Sequence, residues 1–174
     1  MFERWIQALE KLDYVRKNDR PNVECILCSV RDNDKNVRNL KIYQDEIAFT
    51  CLNLYPYNPG HLLIVPHRHI RSFRELNKKE AIHITRLIQG VQILMEEVLN
   101  STGFNIGINE GPNSGASIDH LHYHLVPRYS NELGFIDITA GTRVVIEGLD
   151  SIMKRLKEKI SDYINNDFFK RYEE

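Results

Sequence analysis

The sequence predicts an α+β fold, an antiparallel sheet with helices packed on one face. Three observations carry that expectation. Short apolar runs bounded by turn residues, at 47–54 and 61–66, read as strands. Longer stretches with apolar residues at helical spacing stand ahead of, between and behind the strands. The two clearest strands are separated only by Tyr55-Pro56-Tyr57-Asn58-Pro59-Gly60, a turn-dense segment that makes an antiparallel pair the simplest reading.

Size and composition suit one domain over residues 1–174, long enough to close a core without staples. Hydrophobic content is 42% and charged content 27%, ordinary for a globular chain. The formal net charge of -1 supplies no basic field to attract nucleic acid or anionic lipid, so an anionic ligand must be held by local donors. Three cysteines (Cys25, Cys28 and Cys51) are too few for a secreted disulfide scaffold. The N-terminus carries Glu3, Glu10 and Asp13 and lacks the basic start and apolar run of a signal peptide. No apolar run approaches the roughly 20 residues that span a bilayer. The expectation is a cytoplasmic protein with no nucleic-acid or membrane partner.

In chain order, Phe2, Trp5, Ile6, Leu9 and Leu12 mark an amphipathic helix within 1–17, its stripe read as ordinary packing. A core follows over 22–130. Cys25-Ile26-Leu27-Cys28 precedes a polar loop, and its two thiols have the spacing to share one tetrahedral zinc ion, with histidines from elsewhere completing the set. A redox pair and two buried thiols are the competing readings, although a redox pair more often opens a helix after a strand. Cys51 reads as a small core residue. Asn77 and Glu80 form a capping box ahead of a helix with Ile84, Leu87, Ile88, Val91, Met95 and Val98 on one face. Residues 104–109 alternate as a strand. Glu110-Gly111-Pro112-Asn113-Ser114-Gly115-Ala116-Ser117 is a loop whose small residues let backbone N–H groups approach an anion. Arg143-Val144-Val145-Ile146 reads as a short strand. A last helix over 149–174, capped by Asp150 or Ser151, carries Ile152, Leu156 and Ile160 on one face.

The most informative stretch is Asp119-His120-Leu121-His122-Tyr123-His124-Leu125-Val126-Pro127-Arg128. It puts three of the chain's seven histidines at i, i+2 and i+4. On a strand, side chains at that spacing share one face, while Leu121, Tyr123 and Leu125 turn to the other. Three imidazoles on one face must hold a metal, handle phosphate, or pair with one another.

This alternation, with Asn109-Glu110-Gly111, Gly115 and Ser117 ahead of it, resembles the central motif of the histidine triad nucleotide-binding family. Pro59-Gly60-His61-Leu62-Leu63-Ile64-Val65-Pro66 and the later His69-Ile70 resemble that family's upstream hairpin. The likeness departs at Ala116, where many members carry a Gln that contacts phosphates, and so points away from phosphoramidate cleavage. Residues 53–58, Val126-Pro127-Arg128, Phe135 and Thr142-Arg143-Val144 look like the branch that cleaves dinucleoside polyphosphates, the diadenosine tetraphosphate phosphorylases and hydrolases.

The resemblance implies that His122 attacks the α-phosphorus to give a nucleotidyl-histidine, which inorganic phosphate or water then resolves. It makes His124 and the backbone near Ser117 and Gly115 stabilisers of phosphate charge, Asn53 a ribose ligand, and His61 and Asn109 braces of the pocket. Arg128 and Arg143 become candidates for the distal phosphates. It implies a structural zinc on Cys25, Cys28, His69 and His120, Mg²⁺ accompanying the polyphosphate, and a homodimer with the sheet extended across a two-fold axis. Two other readings stand beside it. One is a nucleotide-binding module with little turnover. The other is a catalytic metal held by all three histidines, although Cα atoms at i and i+4 on a strand stand about 13 Å apart.

Overall fold

The computed structural model describes residues 21–130, 147–165 and 168–169. The N-terminal helix, Phe135 and the segment at 142–146 lie outside the described residues.

The described elements are α1 (Ile26–Arg31), β1 (Lys41–Gln44), β2 (Ala48–Leu52), β3 (Leu62–Pro66), a 3₁₀ turn (Phe73–Glu75), α2 (Lys78–Leu99), β4 (Gly103–Ile108), β5 (Tyr123–Arg128) and α3 (Leu149–Tyr163). Five strands make one sheet in the order β1-β2-β3-β5-β4, and every neighbouring pair is antiparallel. The β2–β3 hairpin expected from the two apolar runs is present, with Cys51 opposite Leu63. All residues of both strands are buried because both sheet faces are covered.

One face packs Ala48, Leu52, Leu62, Ile64 and Leu125 against α2 and α3. The other packs Phe49, Cys51, Leu63 and Val65 against Leu27 and Val30 of α1. The two long helices therefore share one face as expected, but α1 lies on the opposite one. Six residues are too few to display a helical period, so the sequence reads there only as a CxxC before a loop. The CxxC in fact opens this helix: Cys25 is its N-cap and accepts the Cys28 N–H through Sγ. β1 also escapes sequence reading, since only Ile42 of its four residues is buried.

The capping box of α2 forms as predicted, Asn77 Oδ1 accepting the Glu80 N–H at 2.9 Å and Glu80 Oε2 accepting the Asn77 N–H at 3.0 Å. The cap of α3 differs from expectation. The helix starts earlier, at Gly148, with no side-chain cap. Asp150 and Ser151 thus fall in the first turn, where Asp150 binds Arg38 and the Ser151 hydroxyl donates to Glu147. Gly60 closes the β2–β3 connection at φ +84°, and a Cβ there would meet Leu99 Cδ1 at 2.7 Å. The same connection is pinned by buried Asn58, whose amide donates to the Pro127 carbonyl of β5 at 2.7 Å.

Candidate active site and metal centre

A single register line crosses the sheet. Lys41 faces Cys51, Cys51 faces Leu63, Leu63 faces His124, and His124 faces Gly107. Above it, on the α1 side, lies a mainly apolar cleft with room of about 180 Å³. Ile26, Leu27 and Val30 of α1 wall it, Leu40 and Arg38 close the β1 end, and His122 and His124 stand at the other. Asn53, Asn109, Gly115 and Ser117 also border it, so most of the predicted binding residues converge here.

The ladder of β5 begins only at Tyr123. Leu121 N–H instead donates to the Ile70 carbonyl at 2.7 Å, outside the sheet. The lead-in to β5 is therefore free to send its histidines in different directions. Leu125 is buried in the core and Tyr123 packs against it, as the alternation predicts. The three histidines divide into two sets rather than forming one row.

His122 and His124 belong to the cleft, their ring centroids 4.9 Å apart. His122 Nδ1 lies 2.6 Å from the His120 carbonyl, which can only accept. Nδ1 therefore carries the proton, and in the neutral ring Nε2 keeps its lone pair. A second chain of contacts orients His124. Tyr57 N–H donates to His61 Nδ1 at 3.2 Å, which leaves His61 Nε2–H to donate to His124 Nδ1 at 2.9 Å. The proton of a neutral His124 then sits on Nε2, 3.3 Å from the Asn109 side-chain amide, which can accept it only through its oxygen. The Asn53 amide is 3.3 Å from His61 Nδ1. His61 is fully buried, so its ring is fixed by these partners. Such an arrangement offers a lone pair from one imidazole and an N–H from the next.

His120 belongs to the other set. Its Nε2 donates to the Pro66 carbonyl at 3.0 Å, leaving Nδ1 unprotonated and 3.4 Å from Cys25 Sγ and 3.5 Å from Cys28 Sγ. His69 Nδ1 lies 3.4 Å from Cys28 Sγ. The four ligand atoms all fall within 4.8 Å of one another. The sulfur–nitrogen separations are close to the roughly 3.6 Å edge of a tetrahedral Cys₂His₂ zinc site. Burial pushes His120 down to about 4, which keeps its lone pair available. Burial, with Cys25 alongside, pushes the Cys28 thiol up to about 11, so two thiolates in this position call for a cation. The residues present fit a metal ion. The geometry also removes the three-histidine metal centre, because His120, His122 and His124 direct their available nitrogens to different places. Among the described residues, the Cys25–Cys28–His69–His120 set is the one group with metal-site geometry.

Arg128 is not brought to the cleft. It stands four residues beyond His124, about 13 Å along the strand, and donates to Asn105 on β4 at 3.3 Å. The cleft is bordered instead by two residues that sequence reasoning did not select. Arg38 lies in a polar loop with no periodicity to mark it, and its Nη2 is held by Asp150 at 2.9 and 3.1 Å. Tyr57 lies within the turn-rich segment, where its aromatic character alone gave no sign of its position.

Fold and site together define a small antiparallel α+β protein whose clustered histidines serve a cleft on one side and a metal-type ligand set on the other. Residues 34–131, more than half of the chain, match the HIT domain, and the chain belongs to the histidine triad (HIT) family. It is 36% identical over 107 residues to an AP-4-A phosphorylase of Mycobacterium tuberculosis, covering 61% of this chain and 55% of that protein. It is 33% identical over 86 residues to a bis(5'-adenosyl)-triphosphatase of Dictyostelium discoideum, covering 49% of this chain and 58% of that protein. The chain thus spans little more than half the length of these relatives. A zinc-bound histidine triad family protein from Mycobacterium smegmatis shares the fold, with a TM-score of 0.66 and 23% identity over 80% of this chain and 94% of that one. Among the described residues, no helix is long and apolar enough to cross a membrane.

Proposed function

We propose that this protein transfers a nucleotidyl group from dinucleoside polyphosphates, with inorganic phosphate as acceptor, through a covalent intermediate on His122. The observation that carries the proposal is the 2.6 Å bond from His122 Nδ1–H to the His120 carbonyl, which leaves Nε2 as a lone pair at the cleft's histidine end. One nucleoside lies along the apolar cleft with its ribose against Asn53. His122 Nε2 attacks the α-phosphorus, a P–N bond forms, and the bond to the bridging oxygen breaks. The polyphosphate departs with that electron pair. His124 Nε2–H and the backbone N–H groups around Gly115 and Ser117 stabilise charge on the phosphate oxygens. A phosphate oxygen then displaces His122 and restores its lone pair.

The likeness to a phosphorylase supports phosphate as the second acceptor, and the likeness to a triphosphatase supports water as the alternative on the same intermediate. Cys25, Cys28, His69 and His120 would hold zinc, which would cross-link α1 to the lead-in of β5 and supply no chemistry to the reacting phosphate. Mg²⁺ would arrive bound to the substrate's polyphosphate. We expect a homodimer formed along β4, an edge of the sheet that carries Ile106 at 48% exposure.

Product analysis with diadenosine tetraphosphate tests this reading. ADP and ATP formed only when phosphate is present are the expected products. AMP and ATP formed without phosphate would assign a hydrolase. Binding with no turnover in either arm would leave a nucleotide-binding module.

A further inference from the structure

Building on that reading, we propose that Tyr57 is the stacking platform for the second nucleobase of a dinucleoside polyphosphate. The register line from His124 to Lys41 spans three strand spacings of about 4.8 Å, roughly 14 Å in all. With α1 over it and Leu40 and Arg38 at its end, the cleft has the length of one nucleoside. The other nucleoside of a two-base substrate must rest outside, on the histidine side, where the polyphosphate departs.

Tyr57 stands at that point. Its ring lies 4.9 Å from the His61 ring and 6.1 Å from the His124 ring, tilted by 28° from both. It borders the cleft, yet 55% of its surface remains exposed. A large ring is thus held against the site histidines with much of its surface turned to solvent. The backbone fixes its position, since Tyr57 N–H is committed to His61 Nδ1 and neighbouring Asn58 is tied to β5. With its main chain so placed and its ring stacked on His61, Tyr57 loses little freedom when a base stacks on it. The comparably exposed Phe73 packs instead on Tyr123, whose side chain joins the core on the opposite sheet face. Stacking recognises the π-face of any base, so the platform would select for a second nucleobase without choosing its identity.

The test compares kcat/KM for diadenosine tetraphosphate and adenosine 5'-tetraphosphate, which share the phosphate chain and differ in the second nucleoside. The wild-type protein should prefer the two-base substrate. Tyr57→Ala should cut that preference about ten-fold, the scale of one base on one aromatic ring, while Tyr57→Phe and Tyr57→Trp should retain it. If the ring only props His61, Tyr57→Ala will slow both substrates equally, and the inference falls. It falls also if Tyr57→Phe loses as much preference as Tyr57→Ala, because the hydroxyl would then be responsible. Absence of turnover with both substrates would overturn the proposed reaction instead. The same preference would then be read from the affinities of the two compounds by titration calorimetry, with the same outcomes deciding it.

Discussion

His120 and His122 are two residues apart, both almost fully buried, and chemically the same, yet they carry opposite assignments. In His120 the Pro66 carbonyl takes the proton of the distal nitrogen, Nε2, and the nitrogen nearest the main chain turns to two cysteine sulfurs. In His122 the His120 carbonyl takes the proton of Nδ1, and the distal nitrogen carries the lone pair. Either ring nitrogen can serve as a metal ligand, and the hydrogen bond that the other nitrogen makes decides which. A nucleophile must reach a substrate, and the distal nitrogen reaches farther. One carbonyl acceptor per ring is enough to set opposite tautomers, and the two proposed roles rest on that difference.

The sharpest way to break this comparison is to remove one histidine and watch which property fails. His122→Asn should bind nucleotide and melt near the wild-type temperature, while kcat falls by about 10⁴-fold or more, as expected for a lost nucleophile. Stopped assays and thermal melts on the same sample check both halves. Cys28→Ser should do the reverse in kind. Metal content measured by mass spectrometry should drop, and stability should fall by at least about 2 kcal/mol, because a structural metal contributes directly to folding. Prolonged chelation of the wild-type protein should reproduce that loss, with zinc restoring it. His61→Ala should lower kcat by about 10²-fold with metal content unchanged, since it removes the donor that orients His124. The smallest effect expected is that of Asn58→Ala. Losing its buried bond to Pro127 should cost about 1–3 kcal/mol in stability and slow turnover modestly by loosening the Tyr57–His61 connection.

The sequence was legible where periodicity or a motif repeated a physical constraint. The β2–β3 hairpin showed as two apolar runs around a turn-dense segment, and α2 and α3 each span enough residues for their helical period to show. The CxxC spacing and the alternating histidines pointed to residues that the fold gathers into one cluster able to hold a metal and one cleft. The division of those histidines was not legible. It depends on Leu121 leaving the ladder to bond Ile70, a tertiary choice that strict alternation cannot express. Arg128, a candidate through the resemblance alone, donates to Asn105 on β4. Arg38 and Tyr57 reach the cleft through the packing of loops against the sheet, and neither residue type nor spacing announces that.

The most direct measurement is a long-range ¹H–¹⁵N correlation spectrum of the histidine rings in zinc-loaded protein, with His120 and His122 assigned by substitution. The account predicts opposite tautomers, a proton on Nε2 of His120 and on Nδ1 of His122. A spectrum in which both rings carry the proton on the same nitrogen would contradict it.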